Sequence, residues 1–281
     1  MTIGQIYDRM TDQLKTLYDD REAASVTGLV LECRMGIRRV DRILRKTELL
    51  EPEQEALLLA DLRTLLTGKP VQYVLGEAWF DGMLLQVNEH VLIPRPETEE
   101  LVHWVAESAP VAPAILDIGT GSGCIPLALQ KRLPEAMITG LDISVEALAL
   151  AKENATCQRL PVRFLKADIL DKATWTDLPG YDLIISNPPY IAQREKKDMH
   201  DRVLDYEPHL ALFVPDDDPL LFYRQIARFT NRHLYPGGAL YLEINEALSA
   251  DTVRLLEQEG FKEIVLRKDL QGKDRMIRAT R

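Results

Sequence analysis

The chain has 281 residues, a formal net charge of −10 and 46% hydrophobic residues. That length fits two domains better than one, and that apolar content supplies a core and argues against wholesale disorder. Sequence-independent grip on nucleic acid needs Lys and Arg against phosphates, which an acidic chain lacks as a global property, so no direct DNA binding is expected. Cys33, Cys124 and Cys157 form no C-x-x-C pair, and His90, His103, His200, His209 and His233 are equally scattered. Neither a disulfide framework nor a metal site is therefore expected, and each histidine reads as a surface or core residue. No basic stretch followed by an apolar run opens the chain, and no window reaches the roughly 18 apolar residues of a spanning helix. The expectation is a cytoplasmic protein with no membrane partner.

Residues 1–75 read as a small helical domain without strand-like alternation. Val26, Leu29, Val30 and Cys33 recur at the spacing of one helical face. Another helix is predicted to begin at Pro52, suited to a first turn, and to stop near Gly68, suited to a C-terminal cap. Arg38, Arg42 and Arg45, beside Arg39 and Lys46, read either as a solvated face or as a docking surface for an acidic or RNA-rich partner. Residues 76–93 look like a connecting hairpin around the turn signal Asp81-Gly82.

From 94 to 281 strand-like runs alternate with helical ones. The expected strands are 114–118, 137–142, 162–167, 181–186, 239–244, 263–267 and 275–279. Such alternation implies a parallel sheet covered by helices on both faces. The short region 272–274 cannot make a parallel crossover, so the last two strands form a hairpin. The expected fold class is α/β: a seven-stranded, mostly parallel Rossmann-like sheet with one antiparallel strand, behind a small all-helical N-terminal domain.

The first expected strand runs into Gly119-Thr120-Gly121-Ser122-Gly123 and then a helix. Glycines let the backbone turn tightly and approach a ligand, and the helix start offers free N–H groups. Cys124 stands where the dinucleotide fingerprint needs glycine, and no P-loop ending is present. A loop with no phosphate cradle fits a nucleoside ligand lacking a pyrophosphate; alone, it also fits an ordinary tight turn. Asp142 ends the second strand, where an acceptor-only carboxylate can take both ribose hydroxyls. Asp168 ends the third, where it can accept from an adenine amine, although an Asp at a strand end often simply forms a turn.

Asn187-Pro188-Pro189-Tyr190 follows the fourth strand. Two prolines end that strand and remove two backbone donors, leaving carbonyls and the Asn187 side chain as acceptors for an –NH2 group. Tyr190 offers a flat face to a planar group. Methyl transfer from S-adenosylmethionine to a planar amide or amine nitrogen fits such a pocket, with Asn187, Pro188, Pro189 and Tyr190 as the catalytic residues. The motif by itself leaves adenine and glutamine open.

The chain resembles the protein-glutamine N5-methyltransferases that modify peptide chain release factors. The resemblance rests on the linking run 68–76, on 91–99 with Arg95-Pro96-Glu97-Thr98-Glu99, on the glycine loop, on Asn-Pro-Pro-Tyr and on 268–275. It implies S-adenosyl-L-methionine as cofactor, S-adenosyl-L-homocysteine as product, and the glutamine of the Gly-Gly-Gln motif in class 1 release factors as substrate. It implies cofactor contacts from Gly119, Thr120, Gly121, Ser122, Gly123, Asp142, Asp168, Ile169 and Asn187. Substrate contacts fall to Asn187 to Tyr190 and to Arg95, Glu97 and Thr98, with the helical domain 1–75 gripping the partner and 94–281 doing the chemistry. One departure stands out: Asn245 follows Leu242-Glu243-Ile244 where the family usually has Gly. Asn tolerates left-handed backbone, so the fold is expected to survive, and no catalytic weight falls on that loop. The rival functions are glutamine methylation of a ribosomal protein, adenine-N6 methylation of DNA or RNA, and a scaffold that has lost catalysis.

Overall fold

The computed structural model describes residues 1–175, 177–198 and 201–281, with the side chains of all these except 198 and 201–203. His200 lies outside the described residues. The chain divides into two compact units, one joining Met1–Glu77 to a short later segment ending at Tyr206, the other occupying most of the rest from Ala78 to Arg281.

The first unit is built from α1 (Ile3–Leu14), α2 (Asp20–Met35), α3 (Arg39–Leu44), α4 (Pro52–Leu65) and α5 (Val71–Leu75). Local chemistry sets the boundaries. Thr2 and Gln5 form a capping box at the start of α1, and Asp19 accepts from Arg21 and Glu22 N–H groups at the start of α2. Gly36 ends α2 at φ 65°, and Pro52 opens α4. Ile6, Met10, Leu14, Val30, Leu31, Leu58 and Leu65 meet in the core, each contributing about 1.5–3 kcal/mol by leaving water. The buried stripe of α2 is Ala23, Val26, Thr27, Val30 and Leu31; Leu29 is exposed and Cys33 only partly covered, so the expected face is rotated. Arg34 pins the unit, bonding Asp61 at 2.8 Å and the Val74 carbonyl at 2.8 Å. The arginine cluster is partly engaged internally: Arg45 pairs with Glu48 at 2.6 Å and Arg42 lies 4.7 Å from the Tyr7 ring centroid.

In chain order the remaining elements are β1 (Glu77–Phe80), β2 (Met83–Gln86), α6 (Pro96–Ser108), β3 (Ala114–Ile118), α7 (Cys124–Arg132), β4 (Met137–Asp142), α8 (Val145–Gln158), β5 (Arg163–Lys166), β6 (Tyr181–Ser186) and β7 (Ile191–Ala192). There follow α9 (Asp201–Tyr206), which groups with the first unit, then α10 (His209–Leu212), β8 (Phe213–Val214), α11 (Leu221–His233), β9 (Leu234–Glu243), α12 (Ser249–Gln258), β10 (Lys262–Lys268) and β11 (Asp274–Thr280). Strands β1 and β2 pair around Asp81 and Gly82, both at positive φ, which matches the right-handed twist of a hairpin. Phe80, Met83 and Leu85 of this hairpin enter the core of the second unit.

The main sheet has seven strands in the order β10-β11-β9-β6-β3-β4-β5. All pairings are parallel except the two made by β11, which is antiparallel to β9 and to β10. Leu183, Ile184 and Ile185 of β6 are all buried, as a strand covered on both faces requires. Leu101, Val105, Leu127, Leu148 and Ala151 from α6, α7 and α8 cover one face. Tyr223, Ile226, Phe229, Leu255 and Leu256 from α11 and α12 cover the other. The expected α/β sheet is therefore present, its antiparallel strand included.

The chain runs outward from β3 through β4 to β5, then returns to place β6 on the other side of β3. Open α/β sheets bind ligands at the carboxyl ends of strands at such a reversal. Ile118, the last residue of β3, is level with Ser186, the last of β6, and the Ser186 hydroxyl donates to the Ile118 carbonyl at 2.7 Å. That bond closes the strands just before each enters its loop.

Candidate active site

A cleft of about 300 Å³ opens at this reversal within the second unit. Its lining includes Gly119 to Ser122 after β3, Asp142 after β4, Asp168 and Ile169 after β5, and Asn187 to Pro189 after β6. Arg95, Thr98, Leu210, Phe222 and Ile226 complete the wall. Residues as far apart in sequence as Arg95 and Ile226 thus share one cavity.

The glycine loop is shaped by its neighbours. Gly119 and Thr120 N–H groups both donate to the Leu141 carbonyl, at 2.8 and 3.0 Å. Gly119, Gly121 and Gly123 all have positive φ, at 76°, 53° and 81°. A Cβ on Gly123 would sit 3.2 Å from Ala151 Cβ, whereas a Cβ on Gly119 or Gly121 would enter open space. Gly123 thus serves helix packing, and the other two leave room on the cleft side. Buried Asn154 holds the loop from behind, donating to Ser122 O at 2.9 Å and Gln86 O at 3.0 Å while accepting from Gln86 N at 2.7 Å.

The acids divide into two kinds. Asp142 accepts from Gly121 N at 2.9 Å and from Ser144 N at 2.9 Å. An ionised carboxylate has about four acceptor positions, so a pair remains for a ligand. Burial raises the Asp142 carboxyl above its ordinary value, against the pull of those backbone bonds. Asp168 lies beyond β5, accepts from Leu170 N at 2.8 Å and so forms a turn as well as lining the cleft. Asp117 of β3 is fully buried beneath the loop, and neither of its oxygens has a partner among the described residues. Burial pushes it up to about 7; the Thr120 hydroxyl, close by but itself unpartnered, pulls the other way.

At the other end, the Asn187 amide donates through Nδ2 to Thr98 Oγ1 at 3.2 Å. Thr98 donates onward to Glu243 Oε2 at 2.7 Å, and the Tyr190 hydroxyl reaches Glu243 Oε1 at 3.5 Å. Burial drives the Glu243 carboxyl up to about 7, opposed by the Thr98 hydrogen bond and the Arg275 charge. Tyr190 and Glu97 do not line the cleft. Tyr190 packs partly buried against the α11–α12 side, where burial and then the Glu243 charge raise its hydroxyl and keep it a neutral donor. Glu97 accepts from Gln271 at 3.5 Å. Arg95 forks onto Glu207 with both contacts at 2.6 Å, and Glu207 is almost fully buried. Asn245 is extended, at φ −70°, rather than left-handed; its side chain caps the next turn by accepting from Ala247 N. Cys124 lines the cleft, but burial pushes its thiol to about 12, so it stays protonated. Asp117, Glu243 and Glu207 gave no sequence signal, because each is defined by burial and by partners remote in the chain.

Two family models match: the Methyltransferase small domain over residues 98–207 and the PrmC N-terminal domain over residues 5–76. The release factor glutamine methyltransferase of Flavobacterium psychrophilum is 43% identical over 99% of both chains. The enzyme of the same name from Bacteroides thetaiotaomicron is 41% identical over 99% of this chain and 100% of its own. The chain belongs to the release factor glutamine methyltransferase family. Its fold recurs more widely than the family. A methyltransferase from Pyrococcus furiosus superimposes with a TM-score of 0.53 at 18% identity, covering 82% of this chain and 98% of that one. The Thermus thermophilus 16S rRNA N2 G1207 methyltransferase, solved with AdoMet and guanosine, gives 0.52 at 18% identity over 73% and 49%. This chain thus combines a widespread sheet with a helical N-terminal segment that matches a separate family domain. Among the described residues no helix is long and apolar enough to cross a membrane.

Proposed function

We propose that this chain transfers the methyl group of S-adenosylmethionine to the side-chain amide nitrogen of the glutamine in the Gly-Gly-Gln motif of class 1 peptide chain release factors, in the cytoplasm. The observation that carries the reading is that Asn187, Pro188 and Pro189 open onto the same cleft as the glycine loop. Family membership supplies the substrate class.

The cofactor fits the residues present. Open space over Gly119 and Gly121 leaves room for a ligand against the backbone. The unpartnered Ser122 hydroxyl on the cleft lining, with the unpartnered Asp117 carboxyl buried behind the loop, suits a polar, positively charged amino-acid end. Asp142 keeps acceptor capacity for ribose hydroxyls, and Asp168 with Ile169 and Phe222 offers an apolar slot with an acceptor for a base. When bound, the cofactor supplies an electrophilic methyl on positively charged sulfur.

The protein's own residues then orient and polarise the amide. Its nitrogen is a poor nucleophile because its lone pair is delocalised into the carbonyl. Acceptors at its N–H bonds favour rehybridisation and strengthen as positive charge develops, which is the kind of interaction that raises rate. Holding the nitrogen in line with the methyl contributes up to roughly 7–11 kcal/mol. Pro188 and Pro189 bring no N–H that would compete for those acceptors. Arg95 and Thr98 shape the entrance, and the helical unit is the surface that holds the release factor.

Labelled S-adenosylmethionine is incubated with the protein and, separately, with a release factor, a variant with Ala in place of the tip Gln, a ribosomal protein and DNA. Label on the release factor alone, lost with the tip glutamine, is the expected result. Label on DNA or ribosomal protein instead overturns the reading.

A further inference from the structure

We propose that Glu243 is a positioning residue that sets the polarity of the Asn187 amide by way of the Thr98 hydroxyl. The inference rests on the methyl-transfer reading above and assigns a role to a strand end that the sequence left without one.

Three side chains from three distant parts of the chain, Glu243, Thr98 and Asn187, share a limited set of protons. Glu243 ends β9 and lies almost wholly out of solvent. Its ionised carboxylate can only accept. The Thr98 hydroxyl has one proton and gives it to Glu243 Oε2 at 2.7 Å. Thr98 Oγ1 can then only accept from Asn187, which must turn its –NH2 inward, and that contact is 3.2 Å. The Asn187 oxygen is thereby left toward the cleft as an acceptor, with no hydrogen bond to it among the described residues. An amide nitrogen about to be methylated presents N–H groups, so an oxygen is the polarity the pocket needs. The same carboxylate takes the Tyr190 hydroxyl at 3.5 Å, so one buried group braces both ends of the motif.

Protonating Glu243 reverses the direction of donation. A neutral carboxyl can donate to Thr98, which then donates to the Asn187 oxygen, and the amide swings its –NH2 into the cleft to face the substrate's own donors. The groups around Glu243 are Thr98 and Glu97 of α6, Cys124 of α7, Tyr190 after β6, Tyr223 of α11 and Arg275 of β11. Arg275 itself is paired with Asp269 at 3.1 Å. Glu97 and burial favour the neutral form, while Arg275 and the two hydroxyls favour the charged one.

The test compares Thr98→Val, which keeps shape but breaks the relay, with Thr98→Ser, which keeps the hydroxyl. Methyl transfer to a release factor and cofactor affinity are both measured. Thr98→Val is expected to lose about ten- to a hundredfold in kcat/KM, the weight of one oriented hydrogen bond to a charged group. Thr98→Ser, which keeps the hydroxyl, is expected to recover most of that loss, and the cofactor affinity of both variants to change far less than turnover. Full activity in Thr98→Val, equal losses in Val and Ser, or a matching loss of cofactor affinity overturns the proposal, because each marks a packing role. With S-adenosylmethionine saturating, so that the Asp117 titration does not enter through cofactor binding, wild-type kcat/KM for the protein acceptor is also expected to rise with pH around 7, and Glu243→Gln to abolish that rise; a rise that survives the substitution under those conditions overturns the assignment to Glu243. Wild type that labels no release factor defeats the function reading itself. The same variants are then compared on whichever acceptor wild type does label, and the same outcomes decide.

Discussion

The Asp142 carboxylate accepts the Gly121 N–H at 2.9 Å, so the end of β4 fixes the loop that leaves β3. Because it also takes Ser144 N at 2.9 Å, one side chain tethers two backbone segments. Asp142→Ala is expected to raise the Kd for S-adenosylmethionine at least about tenfold and to lower stability by about 1–2 kcal/mol, the cost of leaving backbone donors unpaired. Calorimetric titration and thermal melts measure both. An unchanged cofactor affinity speaks against a ribose role for this carboxylate.

Two glycines of the same loop are expected to fail differently when given a methyl group. Gly123→Ala meets Ala151 at 3.2 Å and holds φ 81°, so it should lose about 1–3 kcal/mol of folding stability. Gly121→Ala has nothing within 4 Å and a φ of 53°, a milder strain, but its methyl fills the cleft side. It should lower cofactor affinity more than stability. Melting curves and binding isotherms of the two variants separate the effects, and identical behaviour contradicts the division.

Asp117 gives the clearest pH signature. Its carboxyl titrates near 7 in the folded chain against an ordinary 3.8. Below 3.8 both states are protonated and nothing changes. Between the two values the folded state keeps a proton that the unfolded state has lost, so stability falls as pH rises, and the loss is complete above 7. Asp117→Asn removes the charge and should stabilise the ligand-free protein by about 2–4 kcal/mol at pH 8 but hardly at pH 4, at roughly 1.4 kcal/mol per pKa unit. Denaturant melts across that range measure it. The same variant should bind S-adenosylmethionine more weakly, a gain in stability set against a functional charge.

Asn187→Ala is expected to abolish nearly all turnover, by about a hundredfold or more, while cofactor affinity falls much less. Single-turnover methyl transfer beside equilibrium binding distinguishes the two. Equal losses indicate that the motif is chiefly a wall of the cofactor site.

Much of the framework can be read from the chain because it is written in contiguous runs. Ile115-Leu116 and Leu183-Ile184-Ile185 are uninterrupted apolar stretches ending in loop formers, and β3, β4 and β6 fall where those runs predict. Strand β9 does not: it starts at Leu234, five residues before its expected onset, passing through Pro236-Gly237-Gly238. Those residues look like a breaker, yet Pro236 and Gly237 lie exposed ahead of the buried stretch, where a strand tolerates them, and buried Gly238 sits where an added Cβ would come 2.5 Å from the Asp182 carbonyl oxygen. The glycine loop and Asn187-Pro188-Pro189-Tyr190 are visible for the same reason of contiguity. The link from Asn187 through Thr98 to Glu243 is not, since it joins three elements and depends on which way each side chain turns. Asp117 is hidden differently, because its distinction is the lack of a partner, which no local pattern records.

Strand β11 lies between β9 and β10 although both precede it in the chain. A ribosome therefore delivers this half of the sheet out of spatial order. Until residues 274–280 emerge, β9 is open on the edge away from β6, and its apolar residues Leu240 and Leu242 lack their antiparallel neighbour. Met276 pairs directly with Glu243, and the Arg275 carbonyl accepts from Ile244 N at 2.8 Å. The carboxylate beneath Asn187 is thus sealed in by the last strand of the sheet to be made. A nascent chain halted before that strand would already carry its glycine loop and its Asn-Pro-Pro-Tyr segment, but with Glu243 still open to water. Competence for methyl transfer should therefore arrive late and all at once, when this last strand has left the ribosome and paired with β9.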